Sequence, residues 1–217
     1  MARRFNGSTD YINAGSAASL DDIGGNPPTG RAFACWTFTR GLGGVDGGRL
    51  FQKHNVASSS WNSLFYSVDG PRINIGGGTT VGEAWTNGSP RLPEMAWLFF
   101  GGSYLSGAGG PRLYAGSLTS VVREQPTYSV RQDVAGYNSD AAGNFVIGNG
   151  AVGDTRAMLG DLAMLAVFDN LLTRDQFEII RQSAQTRGQL FPLDLLKFFV
   201  TAGGTQINVK GLWLFDT

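Results

Sequence analysis

Cysteine and histidine are nearly absent, with one of each in 217 residues. A lone Cys35 can form no intrachain disulfide, and without such a framework the chain does not read as a product of the ordinary oxidising secretory route. One cysteine and one histidine leave no ligand set for zinc. A Cys35–His54 nucleophilic pair is set aside as well, because Cys35 lies in an apolar strand beside Trp36, where a thiol is buried and inert. Net charge is missing too. Lysine and arginine total 17 against 17 aspartates and glutamates, so no net field draws the chain to nucleic acid or to an anionic membrane. No run of 18 apolar residues offers a membrane span, and Met1-Ala-Arg-Arg runs into Phe5-Asn-Gly without the apolar core of a signal peptide. The expectation is a protein made in a cytoplasm that stays soluble there or leaves by lysis. No internal repeat of fixed period exists, which disfavours solenoids and propellers.

What is abundant is glycine. Its 32 copies cluster at Gly24-Gly25, from Gly41 to Gly48, at Gly76-Gly-Gly78, at Gly101-Gly102 and from Gly107 to Gly110, where they read as tight turns between strands. Hydrophobic residues at 42% and aromatics at 12% suffice for a full core, and the length fits one all-β domain. Strands are expected near 9–13, 32–39, 49–54, 61–68, 71–76, 95–101, 111–115, 117–123, 126–131, 144–148 and 159–168. The 61–68 and 159–168 segments carry apolar residues on both alternate sets, as interior strands covered on both sides do. Arg3-Arg4 reads as two solvated residues before the first strand, with an interaction patch as the alternative.

One segment carries helical signals. Thr173 is an N-cap, Gln176 sits at the capping-box position, and Leu172 and Phe177 occupy the hydrophobic-staple positions. Phe177, Ile180 and Ala184 share one face, Arg174, Asp175, Glu178, Arg181 and Gln185 face water, and Gly188 is the stop. A helix over 173–187 is therefore expected to cap the edge of a sandwich.

Several motifs follow one another in a recognisable order. Phe5-Asn-Gly-Ser-Thr-Asp-Tyr-Ile12 resembles the opening F-(D/N)-G-x-x-D-Y-I/V of laminin-G-like domains in the concanavalin A-like lectin/glucanase superfamily. Phe33-Ala-Cys-Trp-Thr-Phe38 resembles the family's F-T-x-x-x-W strand, and Met95 to Gly101 with Pro111-Arg-Leu-Tyr-Ala-Gly116 is similar to its W-x-x-x-x-x-Y-D-G…L-Y-V-(D/N)-G. Asn144-Phe-Val-Ile-Gly-Asn149, Gly160 to Asp169 and Asn170 to Arg181 are similar to its closing strand, strand and helix. The match spans about residues 3 to 187. It implies an all-β, antiparallel two-sheet jelly roll with one short α-helix near the C-terminal end, over 1–188, and it implies no particular ligand.

The superfamily includes glucanases, so catalysis has to be tested. Retaining glycosidases need two carboxylates about 5 to 5.5 Å apart, and the related enzymes carry them in a Glu-x-Asp-x-(x)-Glu strand. Glu83, Glu94, Glu124 and Glu178 are scattered, and Asp161 and Asp169 stand at opposite ends of one strand. Gly76-Gly-Gly78 lacks the strand-to-helix context of a phosphate loop. The expectation is no enzyme.

Two binding features remain. Asn138, Asp140 and Asn144 put three oxygen-bearing side chains in one loop, a candidate for calcium, with an Asx-rich turn as the alternative. Trp61, Tyr66, Trp85 and Tyr104 lie in or beside strands and glycine loops, where exposed rings stack on sugars; core packing is the alternative for each. Residues 189–217 lie beyond the resemblance and are strongly apolar. They either fold back on the sandwich, adding an edge strand, or dock through Phe191, Leu195, Phe198, Phe199, Trp213 and Phe215 on a neighbouring subunit or larger assembly. Chains of this kind resemble accessory proteins of tailed bacteriophages. That resemblance implies a non-catalytic decoration or adhesion protein of a virion, with capsid or tail protein or copies of itself as partners. A lectin module that attaches to cell-surface polysaccharide is the alternative.

Overall fold

The computed structural model describes residues 2–23, 30–45, 47–55, 60–67, 70–76, 83–89, 93–105, 108–133, 139–150, 154–185 and 209–215. Among these residues, fourteen strands make two seven-stranded sheets, and the strand pairs are antiparallel. Sheet A runs β1 (Arg3–Asn6), β13 (Leu159–Phe168), β3 (Arg31–Thr39), β8 (Ala96–Tyr104), β9 (Arg112–Ser117) and β10 (Arg123–Glu124), with β14 (Val209–Leu214) also paired to β13. Sheet B runs β11 (Thr127–Gln132), β7 (Glu83–Ser89), β6 (Gly70–Gly76), β5 (Ser60–Ser67), β4 (Gly48–Asn55), β12 (Asn144–Ile147) and β2 (Ile12–Asn13).

Alternation along these strands builds the core between the sheets. Phe33, Cys35, Phe100, Leu162 and Leu165 from sheet A meet Phe51, Leu64, Ile73, Phe145 and Ile147 from sheet B. Rings run through it in sequence: Phe33 to Phe51 at 4.9 Å, Phe51 to Phe145 at 5.2 Å, and Phe145 to Trp213 at 4.7 Å with planes 6° apart. Both strands expected to be interior are so. β5 lies between β4 and β6 with Asn62 to Tyr66 buried, and β13 is buried from Gly160 to Phe168.

A second core lies on the outer face of sheet A. Helix α1 (Arg174–Gln185) lays Phe177 and Ile180 on Ala32, Ala34, Phe99, Tyr114 and Met164. The helix therefore covers a face of the sandwich, where an edge was expected. Gly101 makes this possible, since a Cβ there would stand 2.7 Å from the Phe177 ring. Its start is as the sequence indicates. The Gln176 backbone N–H donates to the Thr173 hydroxyl at 3.3 Å, and the Thr173 backbone N–H donates to Gln176 Oε1 at 2.8 Å. Glu178 and Arg181 do not face water. Arg181 Nη1 donates to the Ser117 carbonyl at 2.7 Å, and Glu178 Oε2 accepts from the Val122 backbone N–H at 2.7 Å, so this pair fastens the helix to the turn after β9.

Three strand expectations change. Arg3 and Arg4 belong to β1, where Arg4 Nε donates to Asp161 at 2.9 Å. β7 is a strand despite its Asn-Gly turn signal, because β6 and β11 pair with both of its sides. Residues 118–120 form a turn, closed by the Ser117 hydroxyl accepting from the backbone N–H of Thr119 and Ser120. The tail contributes β14, an added edge strand as one of the two expectations has it, and Trp213, with Phe215 just beyond the strand, packs partly buried against the chain's own core. Phe191, Leu195, Phe198 and Phe199 lie outside the described residues.

Candidate functional site

The loop marked for calcium is wired differently. Asp140 is fully buried, and its oxygens are taken by protein donors: the Asn62 side-chain amide at 2.6 Å, the Asp22 backbone N–H at 2.6 Å and the Lys53 ammonium at 3.0 Å. Lys53 is itself fully buried and also donates to the Leu20 carbonyl at 2.5 Å and to Asp21 at 2.9 Å. The ammonium thus stands among the oxygens where a bound cation would otherwise be required. Asn144 is exposed at the start of β12, Asn138 lies outside the described residues, and no cluster able to hold a metal ion occurs among the described residues. Of the two described candidates, Asp140 turns inward to Lys53 while Asn144 stays exposed.

The four candidate aromatic residues separate in the same way. Tyr66 and Tyr104 are 2% and 3% exposed, members of the inter-sheet core, and Tyr104 spends its hydroxyl on Asp133 at 3.2 Å. Neither can offer a ring face to a sugar. Trp61 and Trp85 lie on sheet B, at register positions directly across from His54 and Asn74; their side chains are outside the described ones. Cys35 is in the core of sheet A, and burial pushes its thiol pKa up, whereas His54 belongs to sheet B. No dyad forms.

Those two register positions border a cavity that sequence reasoning missed. On the strands of sheet B, residues alternate with the core-facing set to give cross-strand rows: Gln52–Ser63–Asn74 is one, and Arg49–Phe65–Arg72 is the next. Arg49, Gln52, His54, Ser63 and Asn74 line a cavity of about 290 Å³ together with Asp154 and Arg156. The last two arrive on a segment pinned beside β4, where the Arg49 backbone N–H donates to the Arg156 carbonyl at 2.9 Å and Val45 donates to Thr155 at 3.0 Å. Arg49, Gln52, Ser63 and Asn74 are all buried, His54 half-buried. The signal for this site was the polar set Gln52-x-His54, Ser63 and Asn74, alternating with an inward set that is apolar except for Lys53 and Asn62.

The cavity lining is polar. Arg49 lies over the Phe65 ring, 3.6 Å from its centroid, and donates to the Gly47 carbonyl at 3.2 Å. Arg72 Nε donates to Asn74 Oδ1 at 3.0 Å, fixing that amide. The His54 pKa is lowered, first by burial and then by the field of Arg156, with Asp154 opposing. Convergent amides, hydroxyls and guanidinia of this kind are groups suited to holding a polar ligand by hydrogen bonds.

A second recess of about 480 Å³ lies between β8, β9, β10 and the start of α1. Its charges largely satisfy one another. Arg112 pairs with Glu124 at 3.1 Å, and Glu124 also accepts from the Tyr128 hydroxyl at 3.0 Å. The remaining carboxylates with roles are structural: Asp161 is held by Arg4 and Arg40, Asp169 by Arg31.

No protein-family model matches the chain, and no curated protein matches it. Solved structures do. Similar are domains LG4-5 of the mouse laminin alpha1 chain, with 10% identity, TM-score 0.50, and 80% of this chain and 43% of that one covered. The Ruminococcus gnavus IT-sialidase CBM40 follows, with 9%, 0.55, 83% and 97%. The full-length tailspike protein 2 from Escherichia coli O157:H7 bacteriophage CAB120 matches with 12%, 0.52, 99% and 30%. The chain spans less than half of the laminin segment and about a third of the tailspike. At these identities the likeness concerns the fold, which is a laminin-G-like, concanavalin A-like jelly roll.

Proposed function

We propose that this protein is a non-catalytic carbohydrate-binding module whose binding surface is the outer face of sheet B. The observation that carries this reading is the cavity in which Gln52, Ser63 and Asn74 from three adjacent strands meet Arg49, His54 and Arg156. Its volume is at the low end of the roughly 300–1,000 Å³ of ligand pockets, which suits one sugar residue or a chain end. Trp61 and Trp85, in register beside it, are the aromatic positions from which stacking would come. The likeness to a carbohydrate-binding module supports the reading. Against catalysis, Glu124 and Glu178 are each tied to an arginine, and Glu94 is exposed.

The test is binding to a glycan panel by calorimetry, with reducing-end release measured alongside. Binding that weakens at least about tenfold in Asn74→Ala and Gln52→Ala, with release at the buffer level, is the expected result; lost hydrogen bonds of this kind are worth about 1–2 kcal/mol. Hydrolysis, or binding that ignores both substitutions, overturns it.

The setting that fits such a module is a bacteriophage virion, as a decoration or adhesion protein on the capsid or tail, with particle proteins or further copies as partners. The sequence resemblance and the likeness to a tailspike support it. Stoichiometric presence in purified particles is the expected observation; a protein found only free of particles refutes it.

A further inference from the structure

The cavity on sheet B gathers positive charge within a chain whose charges balance. Among the described residues, Arg49, Arg156 and His54 line it with one carboxylate, Asp154. That carboxylate is already engaged, Oδ1 by the Thr155 backbone N–H at 2.6 Å and Oδ2 by Arg156 at 3.4 Å. A third guanidinium stands beside the site, since Arg72 holds Asn74 and lies 5.4 Å from the centroid of the same Phe65 ring that Arg49 covers. A carboxylate held among guanidinia in a partly desolvated recess is bound more strongly than it would be in water. Burial first, and then the field of Arg156, lowers the pKa of His54, while Asp154 opposes them. Guanidinia are suited to carboxylates, which they meet with paired, charge-assisted hydrogen bonds.

We infer that the cavity takes an acidic sugar, a hexuronic acid or another carboxylate-bearing residue of a glycan, with the carboxylate received by Arg49 and Arg156 and the hydroxyls by Gln52, Ser63 and Asn74. The inference rests on the proposed glycan-binding function and narrows it to anionic ligands. It makes the buried Arg49 a specificity residue. A neutral sugar would forgo the charge-assisted hydrogen bonds that guanidinia make with a carboxylate.

His54 supplies the test, because it is the only histidine in the chain and its ring proton resonances need no assignment. The unmodified protein is titrated by proton NMR alone, with galacturonic acid oligomers, and with galactose oligomers of equal length, as part of a wider panel of uronic-acid and neutral glycans. An acidic oligomer in the cavity is expected to raise the His54 pKa by about half a unit or more, since an opposite charge nearby favours the imidazolium. Its affinity should exceed that of the neutral oligomer at least about tenfold and fall with added salt, and Arg156→Gln should remove most of that preference. If neutral oligomers bind as tightly and the His54 pKa stays put, the acidic-sugar inference is wrong while glycan binding stands. If glycans bind without any response at His54, or if no glycan of the panel binds, the cavity is not the site and both readings fall. The titration needs no substitution, so a poorly folded variant does not spare the idea.

Discussion

Lys53 is a charge placed where the strand pattern asks for an apolar side chain. It shares the inward face of β4 with Phe51, and its ammonium is compensated by Asp140, Asp21 and the Leu20 carbonyl, which come from distant parts of the chain. Replacing it with methionine fills the space but leaves the Asp140 carboxylate buried without its cation. Lys53→Met is expected to lower stability by about 3–5 kcal/mol, the usual result of breaking a buried pair from one side. Adding Asp140→Asn should recover part of this, because no net charge then stays inside. Urea unfolding measures both; an unchanged midpoint in Lys53→Met would mean that the pair is not the anchor described. The oxygen-rich loop around Asp140 was visible in the sequence. Its partner was not, because nothing local to Lys53 says that its stem points inward.

Among the elements, α1 was the most legible, since caps, staple and apolar face are all local signals. What it rests on was not. Helical periodicity assigned Glu178 and Arg181 to the water side, and only the turn after β9 converts them into a clamp. That clamp carries a pH signature. Hydrogen bonds from Arg181, aided by the Val122 backbone N–H, hold the Glu178 carboxyl down to about 2, from an ordinary value of 4.5. A depressed carboxyl stabilises the fold fully above its unfolded value and loses that contribution as the pH falls through the folded one. Between about pH 5 and pH 2, the protein is therefore expected to lose about 1–2 kcal/mol more than a Glu178→Gln variant does. Parallel acid-unfolding curves for the two would contradict the clamp. The strands show the opposite limit to local reading. β7 carries the strongest turn dipeptide in its neighbourhood and is still a strand, because pairing on both sides outweighs propensity.

For the molecule as a whole, the opening and closing motifs, with their order and spacing, disclosed a two-sheet jelly roll, while the polar cavity needed three strands in register before it existed at all. The last consequence lies along one edge of β13. β1 occupies the half that ends at Leu162, with Arg3 across from it, and β14 occupies the half that begins at Met164, with Leu214 across from it. Both run antiparallel to β13, so the end of β14 points at the start of β1 along a single line. Topologically the backbone is almost a closed ring with a nick in it. Joining the ends through a short glycine linker and reopening the chain between the exposed Glu94 and Met95 should give a circular permutant that keeps every strand pairing. Its circular dichroism spectrum is expected to match that of the parent, with an unfolding free energy within about 2 kcal/mol, because only loop closure changes. A permutant that stays insoluble would show that β1 and β14 cannot be joined without losing their pairing with β13. One that folds would let both connections to a host protein leave from a single point, as an inserted module requires.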